Sequence, residues 1–144
     1  MKNVLTSKSF VVIVSHKGPD GDSIGSSVAL SRYLRKLKIK NIIVFPDSFP
    51  SYYDWLLDGE DFVIASDNSH KLSDLFAQSD LICCLDFNHL NRCGNELANC
   101  IRNCNAEQFV IDHHTYPEHF SSYEIIDSNA SSTCELIFTL IKDN

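Results

Sequence analysis

No run of about 18 apolar residues occurs anywhere in the 144 residues, so no membrane-spanning helix is expected. A basic stripe is missing too. The net charge is −7 and the pI is near 5.2, which argues against a protein that coats long nucleic acid. A small phosphate-bearing substrate held through cations stays compatible with that balance, and acidic residues gathered around cations would account for part of it. Internal repeats and low-complexity stretches are absent. The opening segment, residues 1–8, is polar and lacks the basic, apolar and small-residue order of a signal peptide, so a cytoplasmic address is expected. None of the cysteines, at positions 83, 84, 93, 100, 104 and 134, forms a Cys-x-x-Cys pair. That argues against a cysteine zinc site and against a disulfide framework. Cys83 and Cys84 lie inside an apolar run and read as small core residues.

Hydrophobic residues make up 44% of the chain, enough for one core, and the length is that of one domain. Four apolar runs, Phe10–Ser15, Asn41–Phe45, Leu81–Asp86 and Phe109–Asp112, are rich in Val and Ile and do not alternate with polar residues. That pattern predicts parallel strands covered on both faces. Phe62–Ala65 and Tyr123–Asp127 are shorter candidates. Helices are expected over Ser23–Leu37, where Leu30, Tyr33, Leu34 and Leu37 share a face, over Lys71–Gln78, over Arg92–Cys104, and from near Ser132. Asp22 is the expected cap of the first, and Ser132 with Glu135 makes a capping-box pattern for the last. Strands alternating with helices imply a doubly wound, mostly parallel three-layer α/β domain. The segment Pro46–Asp61, with Tyr52, Tyr53 and Trp55, reads as a short helix over the sheet edge or as a substrate-facing lid.

Open parallel sheets bind ligands beyond the carboxyl ends of their strands. The first run ends in His16-Lys17-Gly18-Pro19-Asp20-Gly21-Asp22, the third in Asp86, and the fourth in Asp112-His113-His114. Three strand ends thus deliver carboxylates and imidazoles to one edge. Packed carboxylates repel unless cations sit among them. Oxygen and imidazole donors without thiolate suit manganese or magnesium and tolerate zinc or iron. Asp20 and Asp22, two apart in a glycine-bearing turn, can reach neighbouring points, and Asp86 from an adjacent strand could bridge two ions. Gly21 is the expected site of a special backbone conformation in that turn.

The run Val14–Ser26 resembles the first motif of the DHH phosphoesterases, and Asp112-His113-His114 is similar to the motif that names the family. Asp86 falls where an intervening motif supplies its aspartate, and Asp127–Glu135 resembles the segment that follows in the oligoribonuclease-like branch of this RecJ-like superfamily. The resemblance implies an N-terminal catalytic domain across the chain, acting as a divalent-metal-dependent phosphoesterase. It implies two divalent cations, Mn2+ ahead of Mg2+. His16 and Asp20 would hold one, Asp22 and His113 the other, and Asp86 would bridge them. His114 would contact the substrate phosphate and Asp112 would orient a histidine; these two are the catalytic candidates. Arg92 is a second candidate phosphate contact. The substrate would be a nucleotide, a very short RNA or polyphosphate, with no membrane partner and room for a homodimer.

His70, His89 and His119 read as surface residues, and Asp47, Asp54, Asp58, Glu60 and Asp61 as a solvated acidic face. Family members run longer. They add a last metal-binding aspartate and a second, substrate-binding domain beyond the position matching Asn144, so the sequence reads as a fragment of a larger protein. Asp127 is the nearest substitute ligand and is expected to end a strand instead. Two other readings stand beside the enzyme: a non-catalytic metal- or nucleotide-binding module, and a metal-free flavodoxin-like signalling domain.

Overall fold

The computed structural model describes residues 2–143. A short helix α1 (Lys2–Thr6), which the polar opening segment did not announce, precedes the first strand and buries Leu5. The remaining elements are β1 (Phe10–Val14), α2 (Gly21–Lys36), β2 (Lys40–Phe45), β3 (Phe62–Ile64), α3 (Ala65–Ala77), β4 (Leu81–Leu85), α4 (Asn95–Asn103), β5 (Glu107–Asp112), β6 (Tyr123–Ile126) and α5 (Thr133–Lys142). Short 3-10 turns occupy Ser51–Leu56 and Leu90–Cys93. Strand bounds fall within a residue or two of the sequence expectation. The helix expected over Arg92–Cys104 breaks at Gly94, whose positive φ of 85° separates the 3-10 turn from α4.

The six strands form one sheet in the order β3-β2-β1-β4-β5-β6, and every neighbouring pair is parallel. Alternation along the strands divides the core in two. Val11, Ile13, Leu81, Cys83, Leu85, Phe109 and Ile111 face a layer built by α2 and α5. Val12, Val14, Ile82, Cys84 and Val110 face α3 and α4, against Leu72, Phe76, Leu97 and Ile101. Both faces are covered, so the central strands read as unbroken apolar runs. The fold is a three-layer, doubly wound α/β domain.

The chain leaves β1 to one side and enters β4 on the other, so the order reverses between those strands. The crevice at such a reversal opens at the carboxyl edge. All three motif-bearing loops, after β1, β4 and β5, emerge there. No helix among the described residues is long and apolar enough to cross a membrane.

Three expectations about local structure change. Asp20, not Asp22, caps α2: its side chain accepts from the amides of Asp22 and Ser23 at 3.0 Å. Asp22 lies inside the first turn, where its charge favours the positive end of the helix. In the same loop Gly18, not Gly21, takes the left-handed backbone, with φ of 63°. Finally, Glu60 does not belong to a solvated acidic face. Its side chain is fully buried and bound by Arg32, Arg35 and Ser31. A buried carboxylate needs such partners, and two arginines on α2 supply them once the chain has folded back.

Candidate metal centre

Each motif reaches the site through a local device. Ser15 follows β1 and is buried, donating to the Ser23 hydroxyl at 3.1 Å and tying the loop to α2. His16, also buried, places Nδ1 2.8 Å from the Lys17 carbonyl. A carbonyl only accepts, so Nδ1 carries the proton and Nε2 is the ligand-competent nitrogen. The loop is pinned further by the Lys17 amide donating to the Arg92 carbonyl at 2.8 Å and the Gly18 amide donating to Asp47 at 2.8 Å.

Asp86 stands immediately after β4 with φ of 66°. The left-handed region costs a non-glycine residue roughly 1 kcal/mol, although aspartate tolerates it better than most. The Asp86 amide donates to the Ile111 carbonyl at 3.1 Å, which holds the kink. The side chain is 2% exposed. One oxygen, Oδ2, lies 3.5 Å from His16 Nε2, and the other, Oδ1, lies 3.6 Å from His113 Nε2. Asp20 approaches His16 Nε2 at 3.8 Å, and Asp22 approaches His113 Nε2 at 3.6 Å. His114 Nδ1 takes a 2.7 Å hydrogen bond with Asp112 Oδ1 and lies 3.9 Å from Asp86. Asp112 is fully buried, and its Oδ2 has no partner among the described residues.

Two groups of donors share one carboxylate. His16, Asp20 and Asp86 form one, and Asp86, His113 and His114 the other, each with ligand atoms within 4.8 Å of one another. Most separations exceed a hydrogen bond. They match the spacing of ligands that each sit about 2 Å from a shared cation. Electrostatics agree. Burial drives the Asp86 pKa up, and the Asp22 charge adds to it against the His16 and Thr133 contacts. Burial also opposes charging His16, but the Asp86 contact, the Lys17 carbonyl and the Asp86 and Asp20 charges together hold its pKa above the ordinary value. A buried acid disfavoured as an anion beside acids and imidazoles is a site that gains from divalent charge. The donor set therefore fits divalent cations.

All of His16, Asp20, Asp22, Asp86, Asp112, His113 and His114 meet at this edge. Arg92 does not join them closely: its carbonyl braces the His16 loop, while its exposed side chain makes no hydrogen bond or ion pair among the described residues. Asp127 follows directly after β6 and accepts from its own turn at Asn129, outside the cluster. His119 pairs with Glu124 and His89 approaches Glu118, away from the centre.

One contributor escaped the sequence reading, and one segment that it read two ways reaches the site. The amino end of α5 donates to both oxygens of Asp22, through the Thr133 and Cys134 amides at 2.8 Å each, and the Thr133 hydroxyl donates to Asp86 Oδ1 at 2.8 Å. Burial raises the Asp22 pKa, yet the Cys134 and Thr133 hydrogen bonds outweigh it and hold the value low. The capping signal at Ser132 located this helix start, but nothing local announced a partner 111 residues away. The segment is Pro46–Asp61, read as an edge helix or a lid, and the residue of it that reaches the site is Tyr53. Its hydroxyl lies 3.1 Å from the point a Gly21 side chain would occupy, so the 3-10 turn of residues 51–56 leans on the Asp20–Asp22 loop.

The sequence profile of the DHH family, N-terminal domain, matches residues 10–144. Among solved structures, an exopolyphosphatase-related protein from Bacteroides fragilis superposes with a TM-score of 0.93 at 34% identity, covering 99% of this chain and 42% of that one. The exonuclease RecJ bound to manganese superposes with a TM-score of 0.57 at 17% identity, covering 96% of this chain and 34% of that one. RecJ from Thermus thermophilus, in complex with Mn2+, gives 0.57 and 17%, covering 97% of this chain and 18% of that one. The chain thus spans less than half the length of these relatives. No curated protein matches it significantly. The motifs, the parallel sheet and the profile agree: the chain belongs to the DHH family of metal-dependent phosphoesterases.

Proposed function

We propose that this domain is the catalytic part of a manganese-dependent hydrolase acting on phosphodiester or phosphomonoester bonds of small nucleotides or short oligonucleotides. The observation that carries the reading is Asp86, buried and kinked, with one carboxylate oxygen turned to each of two donor groups. His16 and Asp20 would hold one cation, Asp22 and His113 the other, and Asp86 would serve both. Divalent cations at such a pair of sites neutralise phosphate charge and acidify water.

The chain's own residues do the rest. Asp112 fixes the tautomer and orientation of His114 by holding Nδ1, which leaves Nε2 for the substrate phosphate. Tyr53, with Tyr52 packed against it, leans over the Asp20–Asp22 loop as a lid on the same edge. The acidic net charge disfavours long nucleic acid and leaves small phosphorylated molecules, polyphosphate among them, as substrates.

The test is turnover of bis-p-nitrophenyl phosphate, dinucleotide RNA and short-chain polyphosphate with Mn2+, wild type against Asp86→Asn. The substitution is expected to lower turnover about 100-fold or more. Equal rates from both proteins would remove the assignment of Asp86. Mn2+ binding without hydrolysis of any substrate would favour the metal-binding module.

A further inference from the structure

We infer that the amino end of α5 is part of the metal centre, and that the Thr133 hydroxyl is a positioning group that sets which face of the Asp86 carboxylate is turned to the cations. The inference rests on the metal-centre reading and extends it to a residue outside the donor set.

Thr133 is fully buried, yet neither of its hydrogen-bond donors is spent on its own helix. Its hydroxyl donates to Asp86 Oδ1 at 2.8 Å, and its amide donates to Asp22 Oδ2 at 2.8 Å. The Cys134 amide takes Asp22 Oδ1 at 2.8 Å. One helical turn thus grips both carboxylates that face His113. First-turn amides lack intrahelical acceptors, and the positive end of the helix favours anions, so the grip on Asp22 follows from where α5 starts. The grip on Asp86 does not. It needs a hydroxyl, because a backbone amide at that point is already committed to Asp22.

The approach is shaped for this contact. Gly25, on α2, would place a side-chain carbon 3.0 Å from Cys134 Sγ, so its lack of a side chain lets the start of α5 close on the Asp22 turn. Ser132 caps α5 by accepting from the Glu135 amide at 3.0 Å, while Glu135 accepts from the Ser131 amide and hydroxyl rather than returning to Ser132. That bracing fixes Thr133 independently of any ion. With one lone pair of Oδ1 held by the hydroxyl, the carboxylate cannot spin about its Cβ–Cγ bond, and its free lone pairs stay turned to His16 on one side and His113 on the other. Groups that orient a metal ligand in this way typically govern affinity 10- to 100-fold.

The experiment compares Thr133→Val, which keeps the shape and removes the hydroxyl, with Thr133→Ser, which keeps the hydroxyl. Mn2+ affinity is read by calorimetry on metal-stripped protein, beside the melting temperature in chelator. Thr133→Val is expected to bind Mn2+ about tenfold more weakly, and Thr133→Ser within about twofold of wild type. Unchanged Mn2+ affinity in folded Thr133→Val overturns the inference, even if its metal-free melting temperature drops, because the residue would then be purely structural. Should Thr133→Val not fold, a tenfold loss in Thr133→Ser overturns it equally. Failure of wild type to bind Mn2+ would sink the metal-centre reading itself, and this inference with it. Tight binding by both wild type and Thr133→Val would sink only the inference.

Discussion

At the scale of single residues, the partners of a buried charge decide whether it is structural or functional. Asp86 and Glu60 are both buried carboxylates, but their surroundings differ. Glu60 accepts from Arg32 Nε at 2.8 Å, Arg35 at 2.6 Å and the Ser31 hydroxyl at 2.8 Å, a satisfied set. Asp86 accepts one hydrogen bond, from the Thr133 hydroxyl at 2.8 Å, and otherwise faces imidazoles at 3.5 and 3.6 Å and a neighbouring acid, a set with no cation of its own that fits a metal ion. Glu60→Ala is therefore expected to cost about 2 kcal/mol, the value of charged hydrogen bonds lost from a buried site. The cost stays below the 3–5 kcal/mol of a stranded buried ion, because Arg32 and Arg35 are half-exposed and return to water. Urea unfolding of metal-free protein measures it, and a change under 0.5 kcal/mol would show that the pair does not hold the 3-10 segment onto α2.

At the scale of elements, the two edges of the sheet divide the work. The carboxyl edge carries the site; the amino edge carries ties that hold strands in register. Asp80, just before β4, accepts from the Ser9 and Phe10 amides at 2.7 and 2.9 Å, and its own amide donates to the Phe10 carbonyl. Those two amide bonds, led by Phe10, hold its pKa low. An acid with a lowered folded pKa stabilises the fold fully above its unfolded value, about 3.9. That contribution is lost as the pH falls through the folded value. Stability should therefore drop on acidification below about pH 4. In Asp80→Asn the drop should be shallower and the stability at neutral pH lower, both read from urea midpoints at stepped pH. An unchanged acid slope in the variant would place the pH dependence elsewhere. The Lys8–Glu107 ion pair and the Tyr123 hydroxyl bond to Glu107 tie the entry of β1 to β5 and β6 along the same edge.

At the scale of the whole molecule, the centre draws on the ends of β1, β4 and β5 and the starts of α2 and α5, so cations there would link five elements at once. A ligand that binds only the folded state adds stability by mass action. Mn2+ at about 100 times its dissociation constant should add about 2.7 kcal/mol, reversed by chelator. A thermal melt with and without metal checks it, and the gain should vanish in Asp86→Asn. An equal shift in that variant would locate metal binding away from the centre.

The alternation of apolar runs with helical patterns was enough to read the parallel three-layer sheet, because strands covered on both faces must be apolar throughout. The strand-end motifs were enough to expect His16, Asp20, Asp22, Asp86, Asp112, His113 and His114 at one edge, because a parallel sheet brings its carboxyl ends together. What stayed hidden depended on approach through space. Glu60 looked like one acid in an exposed run until α2 brought Arg32 and Arg35 to it. The cap of α2 depended on backbone angles that put Asp20 outside the helix and Asp22 inside. The grip of α5 on Asp22 and Asp86 joins residues 47 to 112 positions apart. Periodicity reports only which face a residue takes; which partner waits on that face is settled when the layers pack.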